Sequence, residues 1–220
     1  MKKILGAILV FLFILIFNKT IISQILIFSA SKMTERNISI ESINIDYSKN
    51  QIILNAVEVG NVNKLYHKNI FEAEKIMIQY NLRSLFSDLV TIDYLIFINS
   101  KLFLEFDINT NTNIIVNDNL EEVKKLDDSY KPKIYPIKKK DINFLILKLQ
   151  TYNTQGFIKT SNKIDEIKIN LSNVNFNKVG NKTGFQHYKE VFKIILVDVF
   201  LKVPGSALKN LIKKTYKLQY

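Results

Sequence analysis

The sequence predicts an α+β chain, mainly β, with an N-terminal transmembrane helix, a strand-rich body and two amphipathic helices at the C-terminus. Three observations lead there. Residues 4–17 (ILGAILVFLFILIF) contain no polar side chain. After Arg36 apolar residues recur at alternate positions, the period of strands. From Phe185 the spacing turns helical, and Pro204-Gly205 stops it.

The N-terminal run sets the expected compartment. Fourteen apolar residues make about 21 Å of helix, short of a bilayer core of about 30 Å. Extension to Ile22 gives roughly 28 Å, with Lys19 snorkelling to the far interface. Each Ile, Leu, Phe or Val near the centre contributes about −0.3 to −0.6 kcal/mol to insertion, which offsets one lysine near an end. A cleaved signal peptide shares the basic start and apolar stretch. Its small-residue patch, however, would be Ser29-Ala30-Ser31, well past Phe17, and Ile21, Ile22, Ile25, Leu26 and Phe28 continue the apolar stripe between. The expectation is an uncleaved single-pass anchor, with Lys2 and Lys3 holding the N-terminus cytoplasmic and the bulk translocated.

Five segments follow: 1–35, anchor and amphipathic helix; 36–108, a first β module; 109–140, a polar and basic linker; 141–179, a second β block; 180–220, helical. Ile38, Ile40, Ile43 and Ile45 mark one strand with a slip near Glu41-Ser42. Gln51 to Val59 is a second, and Ile70 to Tyr80 a third. Asn81 caps a helical turn reaching Asp88. Leu89 to Ile98 and Lys101 to Ile108 read as two strands joined at Asn99-Ser100, a hairpin-like spot. Pro132 and Pro136 forbid a helix in the linker's basic end. Strand patterns resume at Ile142 to Tyr152, Gly156 to Thr160 and Ile164 to Phe176. Phe185 to Val203 and Ser206 to about Leu218 read as helices, and residues 186–220 carry seven Lys against Glu190 and Asp198.

Composition excludes several chemistries. With no Cys there is no disulfide framework, thiolate metal site or cysteine nucleophile, and six Gly leave no glycine-rich phosphate loop. His67 and His187 lack the carboxylate spacing of a metal site. Glu72 with Glu74, and Glu105 with Asp107, stand two apart on strands and read as solvated faces rather than acid–base pairs. The chain is therefore expected not to be an enzyme and to carry no cofactor or metal. Its net charge of +11 is compatible with nucleic acid, but an exported, anchored domain meets lipid headgroups instead. Lys2, Lys3, Lys19, Lys138, Lys139, Lys140, Lys213 and Lys214 are the expected headgroup contacts.

Residues 21–106 resemble the N-terminal region of AsmA-like proteins, inner-membrane proteins with a large periplasmic part. Ile25 to Thr34 stands at the family's amphipathic helix, and Asn37 to Val59 at its first hairpin. Ile70 to Leu82 matches the next strand, Ser84-Leu85-Phe86 the short helix, and Ile92 to Glu105 the closing strand. The family's Gly after the helix is here Glu35, and its Asn-Pro after the second strand is missing. The resemblance implies a curved antiparallel sheet, anchored in the bacterial inner membrane, whose groove carries lipid for envelope transport or outer-membrane biogenesis.

Many strands carry apolar residues on both parities, as in IILNAVEV, YLIFI and FLILKL, where a sheet wet on one side alternates cleanly. That two-sided apolarity nominates Ile53, Val57, Ile76, Ile78, Ile92, Leu95, Phe97, Phe103, Phe144, Ile146 and Leu149 as lipid-binding groove residues. The expected partners are membrane lipid and other envelope proteins. The alternative function is an envelope adaptor that binds a partner protein by strand addition at an open sheet edge.

Overall fold

The computed structural model describes residues 19–61, 66–107, 112–113, 143–161, 165–182 and 184–216. Helix α1 (Lys19–Thr34) leads into β1 (Ile38–Asp46), β2 (Gln51–Gly60) and β3 (Asn69–Tyr80). A 3-10 helix (Leu82–Phe86) precedes β4 (Leu89–Asp107) and the short β5 (Thr112–Asn113). Then come β6 (Asn143–Tyr152), β7 (Gln155–Thr160), β8 (Ile167–Asn170), β9 (Asn175–Gly180) and β10 (Gln186–His187), followed by α2 (Tyr188–Lys202) and α3 (Ser206–Tyr216). No described helix is long and apolar enough to cross a membrane, and residues 1–18, which hold the expected anchor, lie outside the described ones.

All ten strands join one open sheet, so the two expected β blocks fuse. Its spine runs β1-β2-β3-β4-β6-β9-β10. The expected all-antiparallel pairing is corrected. β1 to β4 are antiparallel, but β6 and β7 both run parallel to β4, and β10 runs parallel to β9. The cause is the long connection after β5: the chain returns to the start of β4, so that Asn143 pairs with Leu89 and the new strand repeats the direction of the old.

The hairpin expected at Asn99-Ser100 is absent. β4 continues through it for 19 residues, with Asn99 held at φ 51°. Its first half pairs with β6 and its second half with β7, and Asn153 at φ 53° makes the matching break on that side. Ala56 at φ 47° is the equivalent position in β2. Pairing skips one residue in each strand along this line: Ile40↔Val57 gives way to Ser42↔Asn55, and Ala73↔Ser100 to Lys75↔Ile98. A crease therefore crosses the sheet through Glu41, Ala56, Glu74, Asn99 and Asn153. Side chains stitch it, with Asn99 Nδ2 donating to Glu74 Oε2 and Asn153 Nδ2 to Asn99 Oδ1 at 2.7 Å. A second crease passes through Asp93, Leu147 and Lys178, the last at φ 55°.

Each crease advances a strand by one residue without pairing, and so exchanges its two faces. Leu54 and Val57, three apart, pack in one cluster, as do Ala73 and Ile76. Ile92 with Leu95, Ile146 with Leu149 and Phe176 with Val179 repeat the step in another. Much of the apolarity read as two-sided is thus one-sided.

The expected strand from Ile164 to Phe176 is two, β8 and β9, separated at Leu171–Val174; the penultimate helix begins at Tyr188, after β10, and not at Phe185. Leu196 and Val199 of α2, Val203 just past its end, and Leu208 and Ile212 of α3 close over Leu104, Phe106, Ile158 and Ile169. Val191 and Ile195 of α2 cover Ile146 and Val179.

Candidate functional site

The creases build one apolar face on β1–β4. Val57, Ala73 and Ile76 form its buried centre, and Ile40, Leu54, Phe71, Ile78, Leu95 and Phe97 pack around them half-buried. Every one of these residues comes from β1, β2, β3 or β4, so among the described residues this cluster has no helix of its own. Phe71 and Phe97 meet edge to face with ring centres 5.9 Å apart. Four strands at about 4.8 Å spacing give a strip about 14 Å wide, and nine extended residues run about 30 Å along it.

The nominated groove residues divide accordingly. Val57, Ile76, Ile78, Leu95 and Phe97 lie in this strand-only cluster. Ile92, Leu95, Phe144, Ile146 and Leu149 lie in the neighbouring one that α2 reaches, with Leu95 shared between them. Ile53 and Phe103 are corrected to the opposite face. Ile53 pairs with Met77 between the inward Ile52↔Ile78 and Leu54↔Ile76 pairs, and a strand alternates. Phe103 stacks on Phe157 at 5.2 Å and against the His67 ring at 4.6 Å.

On that opposite face the structure places a group sequence reasoning misjudged. Glu105, expected on a solvated face, is 1% exposed. Its carboxylate accepts the Asn61 amide at 2.9 Å, the Tyr66 backbone N–H at 3.1 Å and the His67 N–H, pinning the β2–β3 connection onto β4. His67 Nε2 in turn lies 2.7 Å from Glu166 Oε1. No local signal marks Glu105, because its partners stand some forty positions away.

A polar cleft of about 310 Å³ opens where α1 meets the sheet, lined by Glu35, Arg36, Asn37, Ser39, Glu58, Gly60, Asn61, Lys68 and Asn69. The Lys68 ammonium, 3.3 Å away, and then Asn69 hold the Glu58 carboxyl below its ordinary pKa. Two acids face two bases, so the cleft favours neither sign. On α2, burial opposes ionisation of Asp198. The Ser172 N–H at 2.7 Å and Lys202 at 3.0 Å outweigh it and keep that carboxyl below its usual range. This contact staples α2 to the β8–β9 connection. His187 caps α2, its Nδ1 accepting from the Lys189 N–H at 3.2 Å, and burial followed by the Lys189 charge lowers its pKa.

Glu72 meets Lys101 at 3.4 Å across β3 and β4. Among the described residues no three His, Cys, Asp or Glu side chains gather as metal ligands. Of the expected headgroup lysines, Lys19 opens α1, and Lys213 and Lys214 lie in the last turn of α3. Lys2, Lys3, Lys138, Lys139 and Lys140 lie outside the described residues. Comparison with known protein families, with curated proteins and with solved structures finds no match to this chain.

Proposed function

We propose that this chain is a membrane-tethered, non-enzymatic module of the bacterial envelope that carries phospholipid acyl chains on the apolar face of β1–β4, with the bulk of the chain in the periplasm. One observation carries the reading: the cluster around Val57, Ala73 and Ile76 is contiguous and apolar, yet packed by strands alone among the described residues. The opposite end of the same sheet is closed by α2 and α3. The half-buried rim of Ile40, Leu54, Phe71, Ile78, Leu95 and Phe97 leaves apolar surface for a ligand to cover, and each methylene buried there contributes about 0.8 kcal/mol. The apolar N-terminal run supplies the tether. The resemblance to AsmA-like proteins agrees with this role in lipid transport or outer-membrane biogenesis and stays a resemblance of pattern.

The test is photocrosslinking of full-length protein with a phospholipid bearing a diazirine in its acyl chain. Adducts are expected on Leu54, Ile76, Ile78 and Phe97, and not on Ile96 or Ile98, which alternate to the other face. Labelling confined to the helices, or equal on both faces, would sink the proposal.

A second reading rests on a separate observation. Among the described residues β1 pairs with β2 alone, leaving the rest of its other edge open past Ile38, whose N–H donates to Ser31 Oγ of α1. An adaptor that recruits an envelope protein by adding its strand to β1 uses that edge. Crosslinks from Ser39, Glu41 and Asn44 to one protein, with no lipid adducts, would favour it.

A further inference from the structure

The 3-10 helix Leu82–Phe86 breaks the rule that large apolar side chains shape the local fold. None of its five residues is buried. Phe86 is 89% exposed, Leu82 50% and Leu85 46%. Polar contacts hold the turn. Asn81 Oδ1 accepts the Arg83 N–H at 3.1 Å, and Ser84 Oγ accepts the Thr91 N–H at 2.8 Å while donating to the Asn81 carbonyl at 2.7 Å. Ser87 Oγ donates to the Ser84 carbonyl at 2.8 Å. Each leucine keeps about half of its surface against the protein, whereas Phe86 is almost wholly in solvent, so packing within the fold does not account for a phenylalanine here.

Neighbours at the same end of the sheet extend the pattern. The Tyr80 N–H donates to the Asn50 carbonyl at 2.9 Å, so the β1–β2 turn sits beside the 3-10 helix. That turn presents Tyr47, 41% exposed, and Lys49, which meets Asp46 at 3.5 Å. Phe and Leu at the turn with Tyr47 beside them are the side chains that enter a membrane–water interface, and Arg83 can snorkel there; Lys49 is matched by Asp46 and Arg83 by Asp88, so the recognition is by apolar and aromatic insertion rather than by net charge. β1 is entered from α1 at the far end of the strands, where Ile38 pairs with Val59.

We infer that the Leu82–Phe86 turn is a membrane-docking tip, which inserts Phe86, Leu85 and Leu82 into the interface of a lipid bilayer. The inference rests on the membrane-tethered reading but not on acyl chains occupying the β1–β4 face.

The chain contains no Trp, which makes the experiment direct. Full-length Phe86→Trp protein is reconstituted into phosphatidylglycerol–phosphatidylcholine vesicles, with plain or dibrominated acyl chains. Tyr152→Trp, in the middle of the sheet, is the comparison. Blue-shifted emission from position 86, quenched by brominated lipid, with water-like unquenched emission from position 152, is the expected result. Water-like emission at position 86, blue-shifted emission that bromine leaves untouched, or equal quenching at both positions would each overturn it. Leu85→Trp repeats the measurement should Phe86→Trp fail to fold. Phe86→Ser is expected to leave the thermal midpoint unchanged, and a clear fall in that midpoint would show a structural role instead. Crosslinking on the β1–β4 face is indifferent to all these outcomes, so the tip and the lipid-carrying face fail separately.

Discussion

Replacing Asn99 tests the crease that organises the sheet. Its backbone sits at φ 51°, a left-handed conformation that costs most L residues about 1–2 kcal/mol and a β-branched one the upper end of that range. Its side chain also makes two exposed hydrogen bonds, to Glu74 and Asn153, each contributing about 0.5–1.5 kcal/mol. Asn99→Val loses all of this and is expected to destabilise the protein by about 2–4 kcal/mol. Asn99→Gly loses the same hydrogen bonds but adopts the backbone without strain, at a cost of about 0.5–1 kcal/mol for extra freedom in the unfolded chain. The glycine variant is therefore expected to be more stable than the valine variant by about 1 kcal/mol. At an ordinary strand position that order reverses, because valine suits a pleated sheet and glycine does not. Urea unfolding of the detergent-solubilised full-length chain, with matching denaturant slopes, reads the difference. A valine variant equal to or more stable than the glycine variant would refute the left-handed crease and, with it, the account of how apolar residues reach one face.

Glu105→Gln leaves an amide N–H₂ facing the Asn61, Tyr66 and His67 donors in a buried site, and is expected to cost about 2–4 kcal/mol and to raise proteolysis at residues 61–68; limited proteolysis with mass spectrometry reads it. Leu104→Ala, at a fully buried position under α2 and α3, is expected to cost about 2–5 kcal/mol in the same urea experiment. The His187 pKa is lowered in the folded chain, chiefly by burial, whereas the unfolded imidazole takes its proton near the ordinary 6.5. Its contribution is thus complete above about pH 6.5 and declines as pH falls from there toward the lowered folded value. His187→Asn keeps a cap acceptor without that titration, so its stability is expected to fall less than wild type between pH 6.5 and 5; identical pH profiles would refute the assignment.

What the sequence revealed depended on whether the deciding contact was local. Asn81 capping a short helix, the strand runs ending at Gly60 and Tyr80, and Pro204-Gly205 separating two helices all follow from neighbours in the chain. Asn99 was a partial reading: asparagine tolerates left-handed backbone, but the same φ serves a hairpin or a kink, and only the flanking pairs Ala73↔Ser100 and Lys75↔Ile98 decide between them. Ala56 carried no signal at all, since alanine has no preference for φ 47°. Parity arguments from strands then misplaced Ile53 and Phe103, and the direction of β6 depended on where the connection after β5 returned. Glu105 looked solvated because its donors come from a distant connection.

β4 links the two halves of the candidate site. It contributes Leu95 and Phe97 to the strand-only cluster and Leu104 and Phe106 to the one closed by helices, along a single unbroken strand. An acyl chain seated on the first cluster orders the strand on which the second is built, so lipid binding and global stability are expected to be linked. A ligand at a hundred times its dissociation constant adds about 2.7 kcal/mol when only the folded state binds it. Phospholipid added to delipidated protein should therefore raise the unfolding midpoint. It should slow amide exchange first in β2 and β3, whose faces it covers, and only secondarily in β7 and β8. If protection appears in β7 and β8 while β2 and β3 exchange as before, the lipid sits under the helices and the β1–β4 face has another purpose.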